Sequence, residues 1–347
     1  MKFNEIDYHK MTKRRQEKIK TYPINKENKI LIWKDGVQLY LSGFDPLTLN
    51  TVKKNLVQKN VLKENELNDL TGSEWTIHGK SVQTFNSPIT LKRKEHGAAF
   101  PIALAKHFIK IYTKCGDTVF DPFAGVGTTL DAANILKRNS IGIELNDNFI
   151  NLFNKGIDPK DGNPSPDYSK IVIQDSALNV CKYLSENSVD FILTSPPYAN
   201  LLNNIRKNFA DKDYKNNPYK NQSRKLTKPY SGHIEDLGNV SYDEYLVKIK
   251  ELFISLFKVA KPGTYNAWVV RDYRDMRNNV PYINLHGDLI NLALQAGWIM
   301  WDLIIWDQSS QRKLVRLGGN ISRRYYFNIG HSFVVVFRKN MDGEKFK

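Results

Sequence analysis

Two short stretches of the chain carry residue types at spacings that can do chemistry. The first, Asp121-Pro122-Phe123-Ala124-Gly125-Val126-Gly127-Thr128-Thr129, follows the apolar run Thr118-Val119-Phe120 and leads into a helical pattern reaching about Lys137. In a strand-to-helix turn of this kind, glycines let backbone approach a ligand closely, and the start of the helix leaves N–H groups free. Glu144, 17 residues beyond Gly127, ends the next apolar run, where an acidic side chain accepts hydrogen bonds from ribose hydroxyls. Asp175 and Ser176 follow a third run, Ile171-Val172-Ile173. The pattern describes a nucleoside ligand lying across the carboxyl ends of the strands. No Gly-Lys-Ser/Thr follows the glycines, and the bulky Phe123 suits a ligand without a pyrophosphate.

The second stretch, Thr194-Ser195-Pro196-Pro197-Tyr198, closes the apolar run Val189 to Leu193. Consecutive prolines fix the backbone and remove two donors, which leaves carbonyl oxygens free to accept from an amine. The Ser195 hydroxyl can accept from the same amine or donate to a ring nitrogen, and Tyr198 offers a flat face to a base. Such a turn suits an exocyclic amine, whose lone pair is delocalised into the ring and must be drawn out by acceptors. A covalent route would instead need an activated cysteine, and neither Cys115 nor Cys181 lies in or beside these two stretches or follows a proline.

The elements that must position these turns alternate. The spacing predicts a helix from Phe100 to Thr113, strands at 118–120, 140–143, 171–173, 189–193 and 267–270, and helices at 242–260 and 285–296. Two final strands, 299–306 and 333–337, have no helix between them. The reading is an α/β, doubly wound, mostly parallel sheet of seven strands, with helices on both faces and an antiparallel last strand. Residues 1–95 form an N-terminal region of unassigned role, with a strand at Ile30–Trp33. Residues 96–340 form the catalytic domain, with a basic insertion at 203–240.

The chain has 347 residues and a formal net charge of +15, from 51 Lys and Arg against 36 Asp and Glu. That balance points to a polyanion, with nucleic acid ahead of a membrane surface. Residues 203–230 hold eight Lys or Arg, seven Asn or Gln, and the aromatics Phe209, Tyr214, Tyr219 and Tyr230, a mixture suited to phosphates, base edges and a vacated base stack. A second basic run, Arg312, Lys313, Arg316, Arg323 and Arg324, precedes Tyr325 and Tyr326; Lys13-Arg14-Arg15 is a third cluster. Two cysteines outside any metal-ligand spacing exclude a disulfide framework and a structural zinc site. With no leader and no membrane-length apolar run visible, a soluble protein of the cytosol is the expectation.

DPFAGVGTT followed by GIELN resembles the S-adenosylmethionine-binding motif of class I methyltransferases, and TSPPYAN resembles the catalytic motif of amino-methyltransferases. The closest group is the site-specific DNA methyltransferases acting on cytosine N4, and the resemblance spans about residues 96 to 338. It implies S-adenosyl-L-methionine as methyl donor, S-adenosyl-L-homocysteine as product, and no metal. Asp121, Phe123, Gly125 and Gly127 would line the methionine moiety, Glu144 would hold the ribose, and Asp175 with Ser176 would flank the adenine. Ala99, Phe100 and Pro101 resemble the segment that closes over the amino acid end; Thr128, Thr129, Leu145 and Thr194 complete the implied cofactor set. Ser195, Pro196, Pro197 and Tyr198 form the implied catalytic set, on an accessible turn at the sheet edge. Serine before the prolines is the family mark of cytosine N4 over adenine N6. The implied partners are double-stranded DNA, flipped at the target base, and a cognate restriction endonuclease, with no membrane. An adenine-N6 enzyme, an RNA guanine-N2 methyltransferase and a DNA-binding module without cofactor remain the alternatives. Because many cytosine-N4 enzymes carry the catalytic motif first, target recognition stays open between residues 1–90 and 200–240.

Overall fold

Strand residues from Thr118 onward alternate between two apolar faces, and that alternation builds the larger part of the fold. The computed structural model describes residues 65–88, 90–200, 231–275, 278–310, 325–341 and 343–344, and the backbone of 19–25 and 28–33. The basic stretch 203–230, the Arg312–Arg324 run and the Lys13-Arg14-Arg15 cluster lie outside these residues.

In chain order the strands are β1 (Ile19–Asn25), β2 (Asn28–Trp33), β3 (Val82–Gln83), β4 (Thr118–Asp121), β5 (Asn139–Glu144), β6 (Lys170–Gln174), β7 (Val189–Thr194), β8 (Ala260–Val270), β9 (Tyr273–Asp275), β10 (Val280–Ile283), β11 (Ile299–Asp307) and β12 (His331–Arg338). The helices are α1 (Gly72–His78), α2 (Leu91–His96), α3 (Ile102–Tyr112), α4 (Thr128–Ile135), α5 (Asp147–Phe153), α6 (Tyr242–Val259) and α7 (Leu285–Gln295), with a 3₁₀ turn at Ala177–Lys182. Two compact units result, Met1–Glu66 and Leu67–Lys347. In the first, β1 and β2 pair antiparallel with Ile19 opposite Trp33.

The second unit is built on an eight-stranded sheet of order β3-β11-β12-β8-β7-β4-β5-β6. β12 runs antiparallel to both β8 and β11, and the other pairs are parallel. This is the expected class I arrangement, with one strand more than the seven read from sequence. The eighth, β3, is two residues long and pairs Val82 with Ile305, so no periodicity could reveal it. It comes from the region before residue 96, and the compact unit starts at Leu67, so a domain boundary at 95/96 falls inside that unit.

Because successive strand side chains point to opposite faces, each central strand feeds both cores. Val119, Phe191, Leu193, Ala267, Val269, Val334 and Val336 pack with Leu104, Phe108 and Ile109 of α3 and Ala132 and Ala133 of α4. Phe120, Ile192, Trp268, Val270, Val335 and Phe337 pack on the other face with Ile249, Phe253 and Leu256 of α6 and Leu285 and Leu289 of α7. Pro101 stands just outside α3 as its N-cap, in extended conformation, one residue earlier than the first-turn position its sequence context suggests.

The short helix α2 cannot hold its place by apolar burial, and charge does it instead. Lys92 meets the buried Asp131 of α4 at 2.6 Å, and Lys170 of β6 meets the other carboxylate oxygen at 2.8 Å. Arg93 grips Asp161 with two guanidinium nitrogens at 2.8 and 2.9 Å. Removing one member of a buried ionic cluster leaves the rest uncompensated, a loss of about 3 to 5 kcal/mol. Asp131→Ala should therefore lower the unfolding free energy by about 3 kcal/mol or more in a denaturant titration, and a loss below about 1 kcal/mol would show that α2 is held some other way.

Candidate active site

The strand order reverses between β4 and β7: β5 and β6 lie beyond one, β8 beyond the other. Ligand crevices of open α/β sheets lie at such a switch point, outside the carboxyl ends of the strands. Here a cavity of about 530 Å³ opens there, and both sequence motifs enter it.

Asp121 ends β4 with a side chain only 2% exposed. Its carboxylate accepts from the Phe123 N–H at 3.0 Å, the Thr194 hydroxyl at 2.6 Å and the Thr129 hydroxyl at 2.6 Å. Burial nevertheless pushes it up to about 6, against the pull of these three donors. The hydrogen bond to Thr194 joins the glycine turn to the residue just before Ser195, and the one to Thr129 joins it to α4. The turn itself closes with Gly127 N–H donating to the Ala124 carbonyl at 2.8 Å.

Gly125 and Gly127 both have left-handed backbone, φ +54° and +83°, but they serve different neighbours. A Cβ on Gly125 would meet the His96 ring at 2.9 Å, at the cavity wall. A Cβ on Gly127 would lie 2.2 Å from the Phe153 ring, in the packing beneath α4. Gly127 therefore does not line the cavity as the resemblance implied. Thr129 and Thr194 do not either: both are fully buried and work on Asp121. Pro101 also stays outside the lining.

The acidic strand ends are in place. Glu144, half-buried at the end of β5, accepts from Gly125 N–H at 2.7 Å and Asn146 N–H at 2.8 Å, one on each oxygen. The Leu145 N–H also reaches this carboxylate, and acceptor capacity for a further donor remains. Burial pushes this carboxyl up to about 7 despite those bonds. Asp175, after β6, is held below the usual carboxylate range, first by the Tyr183 hydroxyl at 2.6 Å and then by the Asn179 amide at 2.8 Å. Ala99, Phe100, Phe123, Thr128, Leu145 and Ser176 complete the expected part of this wall.

Ser195, Pro196, Pro197 and Tyr198 form the facing wall. β7 lies in the middle of the sheet, so this turn is not at an edge as read from sequence. Pro196 is buried, and Tyr198 is half-buried against the core below α6, its ring parallel to Tyr273 at 6.1 Å. Ala199 follows at φ +44°, a left-handed conformation that an alanine adopts only against strain. The loop after residue 231 backs the prolines, since the Gly238 position faces Pro197. Its buried Asp236 accepts from Ser231 Oγ at 2.8 Å and Gly238 N–H at 2.8 Å.

Several lining residues carry no mark in the sequence reading: His96, Phe149, Asp236, Arg271, Gln308 and Ser332. Two had a signal. His96 directly precedes the Gly-Ala-Ala-Phe-Pro segment, and Arg271 directly follows β8, the strand-end position where sites of this fold collect. The His96 ring packs on Phe149 at 4.4 Å, and burial pushes it down to about 4, so it is neutral near pH 7. Cys115 and Cys181 are exposed and outside the cavity; Cys115 Sγ lies 3.1 Å from the Tyr168 hydroxyl.

Taken together, a mostly parallel sheet with an antiparallel last strand and a cavity at its switch point, walled by acidic strand ends and a Ser-Pro-Pro-Tyr turn, defines the class I methyltransferase fold. The chain belongs to the DNA methylase family, whose model matches residues 3–155 and 189–347. It is similar to the type II methyltransferase M.BglI of Bacillus subtilis, 41% identical over 91 residues, which is 26% of each chain. It is also similar to the type II methyltransferase M.HindIII of Haemophilus influenzae, 39% identical over 109 residues, 30% of this chain and 34% of that one. The chain thus spans about a quarter to a third of the length of these relatives. Among solved structures, a SAM dependent methyltransferase from Archaeoglobus fulgidus is 14% identical with a TM-score of 0.41, covering 72% of this chain and 97% of the other. Among the described residues no helix is long and apolar enough to cross a membrane.

The placement of Gly127 against Phe153 makes it a folding residue. Gly127→Val should lower stability by about 3 kcal/mol, combining left-handed strain with overpacking, as read from denaturant unfolding without any ligand. Unfolding unchanged from the parent would return Gly127 to the cavity.

Proposed function

We propose that the chain transfers a methyl group from S-adenosyl-L-methionine to the exocyclic N4 of a cytosine flipped out of double-stranded DNA, as the modification arm of a type II restriction system. The carrying observation is that the acid-lined glycine turn and the Ser195–Tyr198 turn open into one cavity, hydrogen-bonded to each other through Asp121 and Thr194. Membership of the DNA methylase family and likeness to type II methyltransferases support this class of reaction.

The cavity fits the donor. Its volume of about 530 Å³ lies within the range of cofactor pockets, roughly 300 to 1,000 Å³. Glu144, fixed by three backbone donors, keeps acceptor capacity for a ribose hydroxyl. Asp175 and Ser176 flank the adenine, and the open backbone at Gly125 leaves room for the methionine end beside Ala99 and Phe100. Bound S-adenosyl-L-methionine supplies an electrophilic sulfonium methyl. The chain's own part is to make the amine nucleophilic. Carbonyl oxygens freed by the two prolines, together with the Ser195 hydroxyl, accept the amine hydrogens and favour a pyramidal nitrogen. Tyr198, braced by Tyr273, stacks on the base. No covalent nucleophile is needed, and neither cysteine is within the cavity. Serine before the prolines favours cytosine N4 over adenine N6 by its likeness to the cytosine-N4 motif and not by hydrogen bonding, since adenine N1 accepts from a hydroxyl as cytosine N3 does.

Nucleoside mass spectrometry of plasmid DNA from cells expressing the protein tests the reading. N4-methylcytosine is expected; N6-methyladenine would move the target to adenine, and an unmodified plasmid would overturn the activity. With saturating DNA and cofactor, Ser195→Ala should slow single-turnover methyl transfer by about 100-fold, the loss of one transition-state hydrogen bond, while leaving cofactor affinity unchanged.

Glu144 supplies a pH dependence. Ribose hydroxyls need the carboxylate form, so binding must release the proton that the free protein holds below about pH 7. Affinity for S-adenosyl-L-methionine by calorimetry should be flat above about pH 8 and fall toward tenfold per unit below pH 7. Glu144→Gln should bind more weakly and lose that slope.

A further inference from the structure

The segment joining β11 to β12 carries two bare aromatic rings a few residues ahead of Ser332, which lines the cavity. Tyr325 is 78% exposed and Phe327 76%, beside a half-buried Tyr326. Exposing two large rings is unfavourable in water, and contiguous exposed apolar surface marks an interaction site. The pair is nonetheless held in a defined geometry, with ring centroids 5.2 Å apart and planes at 88°.

What fixes it is not apolar packing but two arginines that follow β8, Arg271 just beyond the strand and Arg274 in β9. Arg271, which lines the cavity, donates to the Ile329 carbonyl. Arg274 donates to the Phe327 carbonyl at 3.1 Å, and its guanidinium lies 5.0 Å from the Tyr326 ring and 5.3 Å from the Tyr282 ring. The same segment leads into Ser332, another cavity residue, at the start of β12. From Ile329 back to Tyr325 is four residues, at most about 14 Å of chain, so the backbone of both ring residues stays within that reach of the carbonyl that Arg271 holds.

The occupant follows from chemistry. Five cations, Arg312, Lys313, Arg316, Arg323 and Arg324, precede the rings in sequence, and the whole chain carries +15. A polyanion that also presents apolar flat faces is a nucleic acid, and every base has a face for an aromatic ring. A duplex from which one base has left shows such a face in its interior, at the moment when unstacking most needs compensation.

We propose that Tyr325 and Phe327 form the stacking edge of the enzyme, entering the duplex beside the target base and occupying the vacated stack while Ser195 and Tyr198 hold the base. This rests on the methylation reading above. The two rings have no part in the cavity lining, so the double variant Tyr325→Ala/Phe327→Ala should fold and bind S-adenosyl-L-methionine as the parent does.

The probe is a 25-base-pair duplex bearing the methylated sequence mapped from plasmid DNA, together with the same duplex mismatched at the target base. The double variant should lose about tenfold or more in affinity for the paired duplex, recover to within about threefold of the parent on the mismatch, and keep the parent's salt slope. Tyr325→Phe should bind as the parent does. Parental affinity in the double variant, an equal loss on both duplexes, or a shallower salt slope would each overturn the proposal, the last by making the segment a phosphate contact. A parent enzyme that leaves no mark on plasmid DNA overturns the methylation reading and this one with it, whereas a marked plasmid beside an unaffected double variant overturns this one alone.

Discussion

A buried carboxylate is unfavourable unless donors surround it, and Asp121 is satisfied only because three separate parts of the chain bring donors to it. One is the backbone of its own turn, one is Thr129 at the start of α4, and one is Thr194 at the end of β7. The requirement works as a gauge. If β4 and β7 slipped by a residue, or α4 rotated, the carboxylate would lose a partner in a place without water. The spacing between the glycine turn and the Ser-Pro-Pro-Tyr turn is therefore set beneath the cavity floor. For in-line transfer to an amine, that spacing is the quantity an enzyme must hold.

The walls of the cavity are built by different forces. The strand ends come with the sheet, whose two apolar cores fix each carboxyl terminus. The strip from His96 to Phe100 hangs on a six-residue helix that buries one side chain, Lys92, and so depends on the ionic clusters at Asp131 and Asp161. The proline turn is braced from behind by Tyr273 and by the loop around Asp236. A reactive site shaped by core packing on one side and by charge and stacking on the others is fixed in its centre and adjustable at its edges. The segment 325–330 extends that pattern, since two arginine-to-carbonyl contacts hold it without apolar burial.

Much of this was legible in the sequence, for a physical reason. Period-two alternation and short apolar runs mark strands that feed two cores, and the seven longer strands of the main sheet were each found by them. The glycine turn, the acidic strand ends and the Pro-Pro turn were legible because backbone geometry restricts the residue types that can stand there. β3 was not legible, because a two-residue edge strand has no period. Nor was the β9–β10 hairpin, whose polar residues answer to Asp272 holding Tyr282 and His286 rather than to a buried face.

Sequence alone determined the fold class, the cavity's position at the strand ends and the chemical character of its two turns, since these depend on local pattern and on residues with few conformational alternatives. Tertiary structure decided which members of a motif face the cavity and which support it from behind. Gly125 and Gly127 are two residues apart in the same turn, yet one meets the cavity wall and the other meets Phe153. Thr194 and Ser195 are adjacent, yet one is fully buried on Asp121 and the other lines the cavity. The direction of a side chain is set by what packs behind it, and those partners, Phe153 and Asp121, come from elsewhere in the chain.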